Sequence, residues 1–530
     1  MLMRRLFDKN VNRKSCFMHL FSYLMLMFIL SFLLPSTSFA VNPRHIILMI
    51  ADGCGIKHIE ATNAYTGSVP AYQTDPNWVK HWVSTYPSGS SYNGSLYWDT
   101  NFNYVLNPGT VTDSAASATA MYTGSKTANS RICVSTGGAL RLFNIGEEAK
   151  GNCIASGAIS TVPVSHATPG AWIAHNSNRA NGYAIADEGF FEDPNTTGSG
   201  GLYSGGLGPT IPRTDVVIGD GFNASYVSTA IRNLLSSENG NLGKHDLVQW
   251  LSGQNGANNL INKANNSNVT RLAGLFKHVY HKANGSGFDP QNPTLADSTN
   301  VALKVLSRNP NGFALMIEGG AVDWAGHTNI MDDMIGEKKD FDAAVQAVID
   351  WVNNTANVDW NNTLLIVTAD HETGYLTAGL NVYPKDSNPI TTVNSTTLSK
   401  EKVYTNISGN VRASWEDTNN NNFINAGETV YWVWHSLGHS NNLVPLYARG
   451  VGASQFATYA TNNDPQRGSY LDNVNIFTVM NSVLGSDLAT TLSIAEPDGV
   501  GDTVAVGNTY SIRYTLTDPD NVATVDFYWD

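Results

Sequence analysis

Charge is scarce in this sequence, and basic charge scarcest of all. Charged residues make up 14% of the 530, and 31 Lys and Arg stand against 44 Asp and Glu, a net charge of -13 at pH 7. That balance lacks the electrostatic footprint of a general nucleic-acid binder, and no specific nucleic-acid partner is expected. It is equally unhelpful to an anionic ligand unless bound cations reverse the field locally. Cysteine is nearly absent: Cys16, Cys54, Cys133 and Cys153 are the whole supply. No Cys-x-x-Cys spacing occurs, which excludes a thiolate zinc knuckle or a dithiol redox centre. In an oxidising compartment Cys133 and Cys153 could pair and leave Cys54 free, though neither spacing nor count demands it.

Long apolar runs are missing after residue 40. Before it, Arg4, Arg5, Lys9, Arg13 and Lys14 precede the apolar run Phe21 to Leu34, followed by Pro35-Ser36-Thr37-Ser38-Phe39-Ala40. The run falls short of the roughly 20 residues that span a bilayer comfortably. Small residues at Ser38 and Ala40 suit signal peptidase, so residues 1–40 read as a secretory signal. A periplasmic or secreted chain with no membrane attachment after cleavage is the expectation.

What is present is a set of near-continuous apolar strands that run into polar residues. Arg44 to Ala51 leads into Asp52-Gly53, Gly312 to Ile317 into Glu318-Gly319, and Thr363 to Val367 into Thr368-Ala369-Asp370-His371. Cys153 to Ile159 leads towards His166 and Thr168. Such strands are buried on both faces and imply a largely parallel sheet covered by helices, an α/β fold. Helical patterns lie between them, at Leu140 to Lys150 and Met334 to Val352, and Asp187 to Gly208 reads as a Gly-rich surface loop. The expected organisation is a catalytic domain over 41–486, an Asn-rich insertion at about 374–434, and a partial β-rich, immunoglobulin-like module over 491–530. In that last segment, Tyr510 to Leu516 and Ala523 to Trp529 alternate as a hairpin about Asp518-Pro519-Asp520-Asn521.

In open α/β sheets, sites form beyond the carboxyl ends of the strands. Candidate ligands gather at those ends. Asp323 and His327 stand four residues apart, so a helix puts them on one face. Asp370 and His371 are adjacent at a strand end, His439 precedes another apolar strand, and Asp52 ends the first. Mixed His and carboxylate suits zinc, whereas Glu318, Thr168 and an Asp oxygen suit magnesium. Three cations could thus share Asp52, Ser114 and the strand ends. Ser114 itself opens the run Val111-Thr112-Asp113-Ser114-Ala115-Ala116-Ser117-Ala118-Thr119-Ala120-Met121. Asp113 can cap a helix there, leaving the serine oxygen beside free N–H groups that favour an alkoxide or a phosphate. Within the insertion, Asp417, Asn419, Asn421, Asn425 and Glu428 fall at positions 1, 3, 5, 9 and 12 of a calcium-loop pattern, a candidate structural Ca2+ site.

Taken together, the Asp113-Ser114 helix, the Asp52 strand, Glu318-x4-Asp323-x3-His327, Thr368-Ala369-Asp370-His371 and His439 resemble the alkaline phosphatase family in a consistent order. The resemblance implies hydrolysis of phosphate monoesters through a phosphoserine at Ser114, with two Zn2+ and one Mg2+, in a homodimer. It implies one zinc on Asp323, His327 and His439, a second on Asp52, Asp370 and His371, and magnesium on Asp52, Thr168 and Glu318. Arg179 matches the family's substrate arginine, with Asp113 helping to hold it. Two positions depart from one well-known version of the pattern. His166 stands where an Asp binds magnesium through water, and Trp324 where a Lys touches phosphate through water; other members carry these residues. Two other readings stay open: a phosphodiesterase or nucleotide pyrophosphatase of the same superfamily, and a non-catalytic secreted binding protein. A sulfatase is disfavoured, because no Cys-x-Pro-x-Arg occurs.

Overall fold

From His45 to Ala51 the first strand is buried throughout, and its neighbours on both sides are strands of the same kind. The computed structural model describes residues 44–97, 104–191, 213–222, 225–378, 413–415, 430–485, 491–496 and 513–517. The chain forms β1 (Arg44–Ala51), β2 (Val79–Ser84), β3 (Ala155–Pro163), β4 (Val216–Asp220), β5 (Asp246–Gln249), β6 (Leu272–Phe276), β7 (Gly312–Gly319) and β8 (Thr363–Thr368). Then follow β9 (Glu372–Thr373), β10 (Leu376–Ala378), β11 (Ala413–Trp415), β12 (Val430–Trp434) and β13 (His439–Ser440). The last are β14 (Val444–Gly450), β15 (Asn462–Asp464), β16 (Gly468–Asp472), β17 (Thr491–Glu496) and β18 (Arg513–Thr517).

Eleven strands form one sheet in the order β15-β16-β2-β14-β8-β1-β7-β3-β4-β6-β5. From β8 across to β5 the strands are parallel, and β14 runs antiparallel between β8 and β2. The expected α/β class with a largely parallel sheet is what the chain adopts. Register then does the positioning. Ile50 lies beside both Glu318 and Thr368, and Ser160 beside Glu318. Asp52, Glu318 and Asp370 therefore emerge at one edge, where the sheet ends and water or ions begin. Helices Leu295–Leu306, Ala321–Thr328 and Met331–Asn354 pack together, and so do Ser114–Thr123, Ala167–Ile173 and Val474–Leu484.

Several expectations need correction. The helix expected from Leu140 begins only at Ile145, because Asn144 caps it: its side chain accepts from the Glu147 amide while Glu147 accepts from the Asn144 amide. Asp187 does not open a surface loop but is buried in helix Gly182–Phe191, and residues 192–208 lie outside the described set. Thr168 lies in helix Ala167–Ile173 just beyond β3, and His439 in a two-residue strand rather than a loop. Cys133 and Cys153 do not pair. Cys133 is buried with its thiol 2.9 Å from the Ala171 carbonyl, Cys153 is exposed, and Cys54 is a buried free thiol as well.

In the insertion, β10, β12 and β11 form a three-stranded antiparallel sheet. The calcium-loop residues Asp417, Asn419, Asn421, Asn425 and Glu428, and residues 1–40, lie outside the described residues. Near the C-terminus β18 pairs antiparallel with β17; the hairpin partner expected at Ala523 to Trp529 also lies outside them. Among the described residues, no helix is long and apolar enough to cross a membrane.

Candidate active site

The helix Ser114–Thr123 is buried along its whole length, packed against helices Ala167–Ile173 and Val474–Leu484. Asp113 caps it as expected, Oδ1 accepting from the Ala116 amide at 2.9 Å. Ser117 in the same helix donates to the Asp370 carbonyl at 2.7 Å and accepts from Asn473 at 3.0 Å, fastening the helix to the end of β8. Ser114 is thereby held with its Oγ 3.2 Å from Nε2 of His371.

Around that pair the candidate ligands converge. Asp323 lies 3.3 Å from His327 Nε2 and 3.5 Å from His439 Nε2, and the two imidazole nitrogens are 3.1 Å apart. Each of these histidines turns its other nitrogen to a backbone carbonyl: His327 Nδ1 to Leu437 at 2.6 Å, His439 Nδ1 to Thr112 at 2.8 Å. Donation from Nδ1 leaves the Nε2 lone pairs aimed inward, as metal-ligating histidines require. His371 Nε2 lies 3.2 Å from Asp370 and 3.5 Å from Asp52, and its ring stacks on His439 at 3.6 Å between centroids. Thr168 Oγ1 is 3.5 Å from Asp52. Among the described residues, three sets of donor atoms form, the atoms of each set within 4.8 Å of one another: Asp323, His327 and His439; Asp52, Asp323 and His371; Asp52, His166 and Glu318. Asp370 adjoins the second of these through His371, its Oδ1 accepting from the Gly53 and His371 amides at 3.1 and 2.9 Å.

Electrostatics says what this cluster wants. Asp52 Oδ1, Asp370 Oδ2 and Glu318 Oε1 are buried without a hydrogen-bond partner, a costly arrangement for carboxylates unless a cation completes it. Burial, then the charges of Asp370, Asp323 and Glu318, push Asp52 well above the ordinary carboxylate range. Burial likewise raises Glu318 and Asp370 each to about 7. Burial opposes the charge on His327, but its bond to Asp323 prevails and lifts it to about 9. Burial would also raise Asp323; the histidines around it win and hold it far below its usual value. His371 is driven well below its usual value by burial and then by His439, so its nitrogen stays an acceptor. Orphaned carboxylates beside inward lone pairs are the donor chemistry of a multi-cation site, and the residues fit such a group.

Arg179 lies at the edge of this cluster. It donates to Asp113 Oδ2 at 3.1 Å and approaches His166 Nε2 at 3.2 Å. Its backbone is held by the Ser130 carbonyl at 2.9 Å, and Ser130 in turn donates to Asp113. Burial and then Arg179 push His166 down to about 3, so it is neutral. Trp324 stands edge-on to His166 at 5.9 Å, on the helix that carries Asp323 and His327.

Sequence reasoning missed the residues that brace these ligands. Thr373 donates to Asp323 at 2.5 Å, and its Oγ1 is 3.3 Å from His371 Nδ1. Glu372, buried, accepts from Ser440 and from the Leu376 amide. Because β9 and β13 pair Glu372 with Ser440 and Thr373 with His439, this bond ties the chain carrying His371 to that carrying His439. Ser160 donates to Glu318. For Glu372, Thr373 and Ser440 the available signal was adjacency to Asp370-His371 and to His439.

Fold and cluster together define an α/β protein whose buried, capped serine faces carboxylates and imidazoles able to hold several cations. The sequence pattern of the alkaline phosphatase family matches residues 43–468. The chain belongs to the alkaline phosphatase family. It is 28% identical to alkaline phosphatase 4 of Bacillus subtilis over 454 residues, 79% of this chain and 87% of that protein. It is 30% identical to alkaline phosphatase of Escherichia coli over 364 residues, covering 62% and 70%. In fold it resembles the alkaline phosphatase of the Antarctic bacterium TAB5, with a TM-score of 0.55, 22% identity, and coverage of 84% and 99%. A cold-active alkaline phosphatase of the psychrophile Shewanella sp. matches with a TM-score of 0.53 and 25% identity, covering 83% and 99%. Membership supports a metal-binding phosphatase that acts on phosphate monoesters.

Proposed function

We propose that this chain hydrolyses phosphate monoesters at alkaline pH through a phosphoserine at Ser114. The observation that carries the reading is the position of Ser114 Oγ, 3.2 Å from His371 inside a set of orphaned carboxylates and beside Arg179. Asp323, His327 and His439 would hold one zinc, and Asp52, Asp370 and His371 a second. Magnesium would take Asp52, Thr168 and Glu318, with His166 beside it. A TAB5 alkaline phosphatase mutant, with a histidine replaced by aspartate, is described with magnesium bound in its M3 site, which supports a magnesium position in this family. When bound, such cations supply Lewis acidity, lowering the pKa of a hydroxyl or water and neutralising charge on the phosphoryl group.

The chain's own residues do the rest. Ser114 Oγ loses its proton and attacks phosphorus; the P–O bond to the alcohol breaks, and the alcohol leaves with a proton. Water then attacks the phosphoserine, and the Ser114–phosphorus bond breaks to release inorganic phosphate. Arg179, held by Asp113, offers a planar fork to two nonbridging oxygens, while the amides of the helix start face the same anion. Both half-reactions require a hydroxyl or a water to lose a proton, which is why activity rises towards alkaline pH. The signal reading of residues 1–40 supports a periplasmic or secreted mature chain, and the family resemblance supports a homodimer.

One comparison tests the reading: hydrolysis of an aryl monophosphate against an aryl phosphodiester, before and after chelation. The monoester is expected to be the better substrate, with activity lost on chelation and regained with zinc and magnesium. Preference for the diester would instead mark a phosphodiesterase. The cation sites have a signature of their own. At pH 6.5 Asp370 and Glu318, both at about 7, and His327, at about 9, carry protons that a cation must displace. At pH 8.5 Asp370 and Glu318 have largely lost theirs, whereas His327 still carries its own. Calorimetric titration of chelated protein with zinc, in buffers of different ionisation enthalpy, should show more protons released at the lower pH. Equal release at both would contradict it. Trp324→Lys should tighten inhibition by inorganic phosphate about tenfold, since it adds one charged hydrogen-bond donor near the anion; an unchanged inhibition constant refutes that role.

A further inference from the structure

The rim beside Arg179 is built of rings. Tyr226 packs against His166 at 6.3 Å between centroids and 72° between planes, and Trp324 meets His166 at 5.9 Å and 87°. Trp324 in turn meets His278 at 5.0 Å. His166 is the ring Arg179 touches at 3.2 Å, so the row begins where a phosphate would be gripped. It ends in Tyr226, whose side keeps 36% of its surface exposed, and Trp324 is half-buried.

Tyr226 is held in this place. Ser165, next to His166, donates to the Tyr226 carbonyl at 3.1 Å. The start of helix Gly182–Phe191 packs against its ring: a Cβ at Gly182 would lie 3.4 Å from Tyr226 Cδ1, an ordinary van der Waals contact. A bulky ring kept partly in water, with His166 between it and Arg179, forgoes burial that an aromatic side chain would otherwise gain. In an acidic protein, a rim meant only to attract phosphate would gain more from a lysine than from a tyrosine and a tryptophan.

We propose that Tyr226, His166 and Trp324 form a leaving-group subsite that stacks a planar ring, so that the preferred substrates are phosphate monoesters of alcohols bearing a nucleobase or aryl group. This rests on the phosphomonoesterase reading above and names its substrate class. Ring faces bind ring faces with little dependence on the identity of the base, so the subsite selects nucleotides as a class rather than one of them. Binding energy from a part of the substrate remote from phosphorus then serves the reacting centre. The phosphoserine is the same whatever alcohol has left. The subsite therefore acts in the first half-reaction and shows in kcat/KM, while kcat stays common wherever the second half-reaction limits.

Adenosine 5′-monophosphate and ribose 5-phosphate carry the same primary phosphate ester and differ in the base, so their ratio isolates the stack. Two measurements separate the subsite from the reaction: kcat/KM on the metal-loaded wild type, and calorimetric affinity on metal-loaded Ser114→Ala, which does not turn over. The expected result is a preference of about tenfold for the nucleotide in both, the size of one base–aromatic stack. Tyr226→Ala should lower kcat/KM for adenosine 5′-monophosphate more than for ribose 5-phosphate and so bring the ratio close to one, and Tyr226→Phe should keep the preference because it keeps the ring. A ratio near one in the wild type, or a preference indifferent to Tyr226→Ala, overturns the subsite. A binding preference without hydrolysis of either ester would uphold the subsite and overturn the phosphatase reading.

Discussion

Ser114→Ala is expected to lower kcat for an aryl monophosphate by on the order of 10⁴-fold or more, the scale on which enzymes lose rate when a nucleophile is removed. The comparison with Arg179→Ala decides which effect dominates. Arg179 contributes charged hydrogen bonds, each worth about 1.5–3 kcal/mol, so its loss costs about one to two powers of ten per bond. Losing the nucleophile abolishes the covalent route altogether. Metal content should be unchanged in Ser114→Ala, because the carboxylates and imidazoles of the three donor sets remain. The serine has one hydrogen bond in the cluster, to His371, so folding should survive. Acid quenching during turnover should trap a phosphoryl group on Ser114 in the wild type and none in the variant. Equal activity in the two proteins would remove the phosphoserine mechanism.

How much of this was legible from residues alone depends on how local the signal is. β1, β7 and β8 announce themselves, because strands buried on both faces are unbroken apolar runs. Their ends gave Asp52, Glu318, Asp370 and His371 directly. The helix Ala321–Thr328 was equally readable through the spacing of Asp323 and His327. The start of helix Ile145–Gly151 was misplaced although its signal was present, Asn144 with Glu147 three residues on. β13 was missed because two residues carry no periodicity; only pairing with β9 makes them a strand. Glu372 and Ser440 stand 68 residues apart, and neither type is rare, so nothing local marks their bond. Arg179 came from family resemblance, and its placement depends on Ser130 and Asp113, both brought to it by the fold.

Asp52→Asn should divide the two states of the protein in opposite directions. The Asp52 carboxylate belongs to two of the three donor sets, and its Oδ1 has no hydrogen-bond partner. An amide keeps the shape and one weak oxygen ligand but loses the charge. With cations present, the wild type gains RT ln(1 + [L]/Kd) from each site, and a variant with weakened sites gains less. Activity should fall by on the order of 10³-fold, with bound metal falling at two sites rather than one. After chelation the order reverses. Burial and then Asp370, Asp323 and Glu318 raise the folded Asp52 well above its unfolded value, so its contribution to stability is present in acid and lost as pH rises from about 4. Asparagine has no proton to lose. Chelated Asp52→Asn should therefore be more stable than chelated wild type at pH 8, by on the order of 1–4 kcal/mol, with the gap narrowing towards pH 5. Urea denaturation of both proteins, loaded and chelated, at the two pH values measures all of this. If the variant is the less stable protein in every condition, Asp52 is an ordinary structural carboxylate and the cluster does not carry the electrostatic strain that cations relieve.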